Sequence, residues 1–226
     1  MVASAKSPVK WHYESLPRAT KKALDFFSKE AWLKKSEWYL AGGTALALRV
    51  GNRKSHDLDF FTQKSDFDKN GLLARFIGNP DWITEAVEKN TVHGELFGAK
   101  VSFIANPFFT PKQKMDWHGA VRVLHPIDVE VMKLIAVSQR GKKRDFFDLF
   151  WCANNLERLE SSIKRLHGQY PTVAHDYHHI LKSLVYFDDA ESDPDPIIFF
   201  KASWTTVKNY FRNEIPVIAR KLIKLE

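Results

Sequence analysis

The feature that most constrains the fold is a buried strand that runs through two glycines directly into a buried helix. The apolar residues 38–41 are typical of a buried strand, and residues 45–50 have the composition of a short buried helix. Gly42 and Gly43 let the backbone approach a ligand closely, and the free N–H groups of a helix start attract anions. Thr44 either caps this helix or contacts a phosphate. The run therefore predicts a strand, a glycine turn and a helix around an anion site.

Two aspartates follow on the next strand. Asp57 and Asp59 are two residues apart in an alternating pattern, so they project from one face. Neighbouring carboxylates repel each other, and Mg²⁺ is typically held by one or two carboxylates together with phosphates. The alternative is an exposed strand face or an ion pair with Arg53 or Lys54 of the preceding basic loop. The loop also contains Ser55, and together these residues predict a site for phosphates and the metal that bridges them.

The rest of the chain predicts an α+β protein with a mixed sheet and a C-terminal helical unit. Strand patterns cover residues 82–87, 92–97, 100–105 and 121–123, and residues 115–119 have a loop pattern. Helical patterns cover residues 15–30, 66–76 (capped by Asp66), 128–139, 144–154, 157–167, 172–187 and 203–224, with an acidic, turn-rich linker at 188–196. We expect an α/β domain at 1–123 and a helical domain at 124–226.

Composition indicates which class of partner the protein binds and in which compartment it lies. The formal net charge of +7 favours polyanions such as nucleic acids or nucleotides. Cys152 is the one cysteine, which excludes a disulfide framework and indicates a reducing compartment. The sequence contains no signal-peptide pattern and no membrane-spanning stretch, so we expect a cytoplasmic protein without membrane contact.

A second group of charged residues occurs at helical spacing between positions 133 and 148. Lys133 and Arg140 are two helical turns apart and so share a face of one helix. Asp145 and Asp148 share a face of the next helix, and the spacing of Arg144 and Asp148 predicts an intrahelical ion pair. The alternative is a set of solvated surface charges.

Both charged blocks resemble a known family. Residues 41–48 and 53–61, followed by Lys133, Arg140 and residues 144–149, are similar to the motifs of the AbiEii/AbiGii-type nucleotidyltransferase toxins. These toxins are a branch of the DNA polymerase β-like nucleotidyltransferases. The two blocks occur in the family's order, and the resemblance covers most of the chain.

The resemblance implies an activity and a role for each matched residue. The activity is Mg²⁺- or Mn²⁺-dependent transfer of a nucleoside monophosphate from an NTP to an acceptor such as the tRNA 3′ end. The biological role is that of a bacterial toxin neutralised by a cognate antitoxin. The implied roles are metal binding by Asp57 and Asp59, phosphate binding by Gly42, Gly43, Thr44, Arg53 and Ser55, charge compensation by Lys133 and Arg140, and orientation or deprotonation of the acceptor by Asp148.

One position departs from the family pattern. Polymerase β-like enzymes generally carry a third carboxylate on a later strand, where this chain has Ser102. Either Asp148 or Glu95 supplies that function, or the chemistry is weak or lost. His93 is either a strand residue at a polar edge or a neighbour of the active site. The missing carboxylate makes a nucleotide- or RNA-binding protein without turnover the first alternative. A separate alternative is an enzyme acting on a protein hydroxyl or a small molecule such as an aminoglycoside.

Overall fold

Seven strands form one mixed sheet in the computed structural model, which describes residues 9–223. The strands are β1 (Tyr39–Ala41), β2 (Leu58–Thr62), β3 (Trp82–Val87), β4 (Thr91–Leu96), β5 (Ala99–Ala105), β6 (Asp116–His118) and β7 (Val121–Val123). Their spatial order is β3-β4-β5-β2-β1-β7-β6. The β1–β7 and β2–β5 pairs are parallel and the other neighbours are antiparallel. The expected mixed sheet is confirmed.

Ten α-helices lie within the described part of the chain. They are α1 (Arg18–Phe27), α2 (Ala31–Lys34), α3 (Gly42–Val50), α4 (Lys69–Leu73), α5 (Pro126–Arg140), α6 (Lys143–Asn155), α7 (Leu159–Gln169), α8 (Tyr177–Ser183), α9 (Asp188–Glu191) and α10 (Trp204–Ile223). Short 3₁₀ helices cover Tyr13–Ser15 and Ala74–Phe76. Between residues 9 and 223, none of the helices is both long and apolar enough to span a membrane.

The period of two in the strands divides the sheet into a core face and a polar face. Phe60 of β2 and Phe103 of β5 are buried on the core face with their rings stacked 5.1 Å apart, and Phe27 of α1 contacts Phe60 edge-on at 4.8 Å. Asp59 and Ser102, one residue before each phenylalanine, project from the opposite face. Alternation along the strands therefore places the polar residues together.

One hydrophobic cluster joins the sheet to the C-terminal helices. It extends from Leu16 to Ile218 and includes buried residues of β1, β2, β5, α3, α5 and α6. Helix α5 follows β7 after only two residues, with Pro126 in its first turn, and it packs against α3, α6, α7 and α8. The division into domains 1–123 and 124–226 stays a prediction.

The structure corrects two predictions in the α/β region. Residues 115–119 were expected to be loop, but they contain β6, because Gly119 at φ +60° turns the chain so that β6 pairs with β7. The helix expected at 66–76 begins later, because Asp68 rather than Asp66 caps α4 by accepting a hydrogen bond from the Gly71 N–H.

The helix predicted at 172–187 is also shorter. Helix α8 begins at Tyr177 because the Asp176 side chain caps it, accepting a hydrogen bond from the His179 N–H at 2.9 Å. It ends at Ser183, and α9 forms within the segment that the sequence indicated as a linker.

Candidate active site

A cleft of about 350 Å³ lies between the polar face of the sheet and helix α5. Ten residues singled out by the sequence line it: Gly42, Gly43, Thr44, Arg53, Ser55, Asp57, Asp59, Ser102, Lys133 and Arg140. His93, Lys100 and Arg144 also line it, whereas Asp148 lies behind its wall. The structure thus brings two widely separated sequence blocks to one place.

The two glycines are required by close packing at the start of α3. Gly42 has φ +68°, and a Cβ atom there would lie 3.0 Å from Oδ2 of Asp59. A Cβ atom at Gly43 would collide with the guanidinium group of Arg53. The backbone therefore lies directly against a carboxylate and a cation, with the first N–H groups of α3 at the cleft.

Thr44 joins the start of α3 to the basic loop. Its hydroxyl donates a hydrogen bond to the backbone carbonyl of Asp57 and lies 2.9 Å from Ser55 Oγ. The suggestion that Thr44 caps the helix is wrong, because Ala41 occupies the cap position and Thr44 is buried in the first turn. Thr44 and Ser55 therefore fix the loop that leads to the aspartates.

The two aspartates face the cleft as a crowded pair. Burial, and then the charge of Asp57, raise the pKa of Asp59, while Lys133 and Arg140 oppose that rise. Asp57 remains about one-third exposed. Such a pair fits a hard divalent cation, which accepts carboxylate oxygens and completes its coordination with phosphate oxygens and water. Within residues 9–223, no group of three or more His, Cys, Asp or Glu residues is arranged to hold a metal.

A buried ion cluster of Arg53, Lys133, Asp145 and Asp148 extends behind the cleft, with Arg53 and Lys133 in the cleft wall and the two aspartates behind them. Arg53 Nε and Nη2 donate to the two carboxylate oxygens of Asp148 at 2.7 and 2.9 Å. Lys133 Nζ is 2.8 Å from Asp148 and also bonds to Asp145, and Asn52 donates to Asp148 at 2.8 Å. All four charged side chains are nearly or fully buried.

Asp148 is held ionised by this cluster. Burial alone would raise the pKa of Asp148, but Arg53 and Lys133 together hold that pKa well below its usual range. The predicted Arg144–Asp148 ion pair is wrong: Arg144 reaches the cleft, where its Nη1 is 3.7 Å from Asp57 Oδ2. The shared face of Asp145 and Asp148 is confirmed, because both carboxylates contact Lys133.

Three cations at the cleft keep much of their surface in solvent. Arg140 and Arg144 have half-exposed side chains, and Lys100 is exposed. Sequence reasoning assigned Lys100 no binding role and Arg144 a different partner. The strand period could have identified Lys100, because it shares a strand face with Ser102.

Ser102 lies next to Asp59 in the sheet. The two residues are partners across the parallel β2–β5 pair, and Ser102 is the partner of His93 across β5–β4. The Ser102 hydroxyl lies 3.1 Å from His93 Nδ1. Glu95 shares a strand face with His93 but does not line the cleft.

A second, larger cavity of about 620 Å³ adjoins the cleft. Both are lined by Phe61, Ile104, Met132, Ala136 and Arg140. The second cavity adds two aromatic side chains, Phe108 and Tyr170, and two amides, Asn106 and Gln139. A polar, charged cleft therefore opens into an apolar cavity with an aromatic lining.

Comparison with known proteins identifies a family that matches most of the chain. The family model of the AbiEii nucleotidyltransferase toxin of type IV toxin–antitoxin systems matches residues 30–219. An uncharacterized protein of Aquifex aeolicus (strain VF5) is 32% identical over 189 residues, covering 80% of this chain and 87% of that protein.

Two solved structures share the fold. The crystal structure of an H. pylori protein assigned as a nucleotidyltransferase superposes with a TM-score of 0.50 at 20% identity, covering 91% of this chain and 96% of that one. The nucleotidyltransferase toxin MenT4 (Rv2826c) of Mycobacterium tuberculosis H37Rv superposes with a TM-score of 0.53 at 16% identity, covering 89% and 87%. The fold is thus that of the polymerase β-like nucleotidyltransferases, and the chain belongs to the AbiEii family of nucleotidyltransferase toxins.

Proposed function

We propose that this protein transfers a nucleoside monophosphate from an NTP to the 3′ end of tRNA in a Mg²⁺-dependent reaction. The observation that carries the proposal is the pair Asp57 and Asp59, which lies against the start of α3 in a cleft lined by exposed cations. A metal-binding pair and a phosphate-binding helix start are the two parts that such a transfer requires.

Different residues of the cleft would bind different parts of the substrate. Asp57 and Asp59 would hold Mg²⁺, or Mn²⁺ in its place, and the ion would neutralise charge on the triphosphate. The N–H groups at Gly42 and Gly43 would donate hydrogen bonds to phosphate oxygens, and Lys100, Arg140 and Arg144 would compensate the remaining charge. Arg53, fixed by Asp148, supports the glycine turn from behind.

The chemistry is a displacement at the α-phosphorus of the NTP. An oxygen of the acceptor hydroxyl forms a bond to this phosphorus, the bond to the β-phosphate breaks, and pyrophosphate leaves. Arg140, which is half exposed at the cleft, would stabilise the charge that develops on the leaving group, and Lys133, which Asp145 and Asp148 hold in the cleft wall, would support it from behind.

An RNA acceptor is supported by charge and by the second cavity. The chain has a formal net charge of +7, which attracts a polyanion. Phe108 is about half exposed and offers an aromatic ring on which an unpaired base can stack. The single-stranded 3′ end of tRNA carries such bases. We place the reaction in the cytoplasm, where a toxin would meet NTPs and tRNA, under control of a cognate antitoxin.

The test is incubation with each of four labelled NTPs, Mg²⁺ and total tRNA. Label should enter tRNA with one preferred NTP, and Asp57→Asn should abolish the transfer. Asp81→Asn is the matched control, because Asp81 is exposed and does not line the cleft. Incorporation of label into protein or into a small molecule instead of tRNA would reject the tRNA acceptor. Loss of label transfer when Mg²⁺ and Mn²⁺ are omitted would support the metal requirement.

The second candidate is a nucleotide- or RNA-binding protein without turnover. Ser102 favours it, because the usual third carboxylate is missing from the strand next to Asp59. This candidate predicts that NTP binds in a calorimetric titration while no labelled product forms with any acceptor. Transfer by the wild-type protein that depends on Asp57 would exclude it.

A further inference from the structure

Three side chains form a row across the polar face of the sheet. Asp59, Ser102 and His93 occupy consecutive strands β2, β5 and β4 at one register level, and all three line the cleft. The row begins at the expected metal-binding pair and continues away from it. Ser102 therefore lies between an aspartate and an imidazole.

The Ser102 hydroxyl is within hydrogen-bonding distance of His93 and also interacts with Asp59. Its Oγ is 3.1 Å from His93 Nδ1, and a hydrogen bond from Ser102 contributes to lowering the pKa of Asp59 against the effect of burial. A hydroxyl has one proton and can also accept hydrogen bonds. When the Ser102 proton is directed to His93 Nδ1, its oxygen is free to accept a proton from a substrate hydroxyl.

Other candidates for the missing base are occupied or misplaced. Asp148 is fully buried and bound by Arg53 and Lys133, which hold its pKa well below its usual range. Glu95 does not line the cleft. Among the described residues that line the cleft, His93 is the one imidazole, and imidazole is the side-chain group that most often acts as a general base.

We propose that His93 receives, through Ser102, the proton that the acceptor hydroxyl loses. The inference rests on the proposed nucleotidyl transfer. As the acceptor oxygen bonds to the α-phosphorus and pyrophosphate leaves, the hydroxyl proton passes to Ser102 Oγ and the Ser102 proton passes to His93 Nδ1. The imidazolium then releases a proton to solvent, and His93 is only half-buried.

The first test is kinetic. His93→Gln keeps a hydrogen-bonding group beside Ser102 but cannot take up the proton, so kcat should fall by about 10²–10⁴-fold. The KM for NTP should stay within about twofold, because phosphate binding is carried by other groups. Ser102→Ala should have a similar effect with a smaller change in the structure. Glu95→Gln is the matched control on the same strand face and should retain the wild-type kcat.

The second test restores a carboxylate. Ser102→Asp places an acid on β5 beside Asp59, where it takes up the proton without His93. Adding His93→Gln to Ser102→Asp should then change kcat by less than about threefold, whereas the same substitution in the wild-type background costs at least about 10²-fold. An equal loss in both backgrounds would show a structural role for His93 and overturn the inference, with a thermal melt of each variant checking its fold.

The outcomes separate the two proposals. If the wild-type protein transfers label and His93→Gln keeps the wild-type kcat, the relay is wrong and the proposed function stands. A loss of activity in Glu95→Gln but not in His93→Gln would assign the base to Glu95 and likewise reject the relay. If the wild-type protein transfers no label to any acceptor, the proposed function and the relay fail together.

Discussion

The buried ion cluster and the cleft contain the same kinds of charged side chain, but those of the cluster are paired with each other and several of those at the cleft remain available to substrate. Asp148 is fully buried, yet Arg53, Lys133 and Asn52 all bond to it. Asp57 and Asp59 lie beside each other at the cleft, and Arg144 is 3.7 Å from Asp57, beyond hydrogen-bonding distance. The charges of the buried cluster are satisfied within the protein, whereas Asp57 and Arg144 at the cleft remain partly exposed and can be neutralised by substrate or metal.

This difference shows where the chain can tolerate change. Removing one partner of a buried ion pair leaves an unpaired charge in a medium of low polarity, at a cost of several kcal/mol. Removing a charge from the cleft either relieves repulsion between like charges or leaves behind a partner that water already solvates. Such a substitution therefore affects substrate binding and turnover rather than stability. Stability and activity should therefore respond separately to substitutions in the two regions.

The largest expected effect is loss of stability on changing the buried cluster. Asp148→Asn leaves Arg53 and Lys133 buried without their main anion, and we expect the free energy of unfolding to fall by about 3–5 kcal/mol. For a chain of this size, that corresponds to a decrease in Tm of roughly 6–20 °C. Urea and thermal unfolding measure it.

The matched control for this prediction is in the cleft. Asp57→Asn also removes one carboxylate charge, but its free energy of unfolding should stay within about 0.5 kcal/mol of the wild-type value. Equal destabilisation by the two variants would mean that the distinction between the buried cluster and the cleft is wrong.

A second prediction compares Asp148 with another buried acid. Glu130 of α5 is fully buried, and burial raises its pKa to about 8, because the opposing influences of Ser162 and Arg165 are smaller. Folded protein therefore keeps a proton on Glu130 that the unfolded chain releases near pH 4.5. Stability should fall as pH rises from about 4.5 to about 8, by on the order of 2–4 kcal/mol from this group.

Glu130→Gln should remove that pH dependence. The variant should be close to wild type near pH 4.5 and more stable than wild type at pH 8, as measured by urea unfolding at several pH values. Glu85→Gln, at an exposed position, should keep the wild-type slope. If Glu130→Gln instead destabilised the protein at pH 8, an ionised Glu130 with an effective partner would be the explanation, and the contrast with Asp148 would disappear.

Local patterns in the sequence were enough to identify the candidate site but not its internal contacts. The period of two placed Asp57 and Asp59 on one side of the chain, and helical spacing placed Asp145 and Asp148 together, because both depend only on backbone geometry. The glycine turn could likewise be predicted from the sequence, since its conformation depends only on neighbouring residues.

Contacts between distant segments could not be predicted in this way. The Arg53–Asp148 pair joins residues 95 positions apart, and the Ser102–Asp59 neighbourhood depends on the register between β2 and β5. Arg144 had a plausible partner on its own helix, but the buried Arg53 and Lys133 occupy Asp148. Local spacing gives the available partners, and the tertiary fold determines which of them is used.

The smallest expected effect concerns the exposed cations of the cleft. Arg144→Gln should raise the KM for NTP by about five- to tenfold at low salt, because a half-exposed guanidinium contributes about 1 kcal/mol to binding a polyanionic substrate. The Tm should not change, and the increase in KM should shrink as salt is added, since salt screens exposed charges more than buried ones. Arg75→Gln, exposed and outside the cleft, should leave KM unchanged. A salt-independent effect of Arg144→Gln would mean that this arginine acts as a fixed structural charge, as Arg53 does, and that the cleft and the buried cluster form one electrostatic unit.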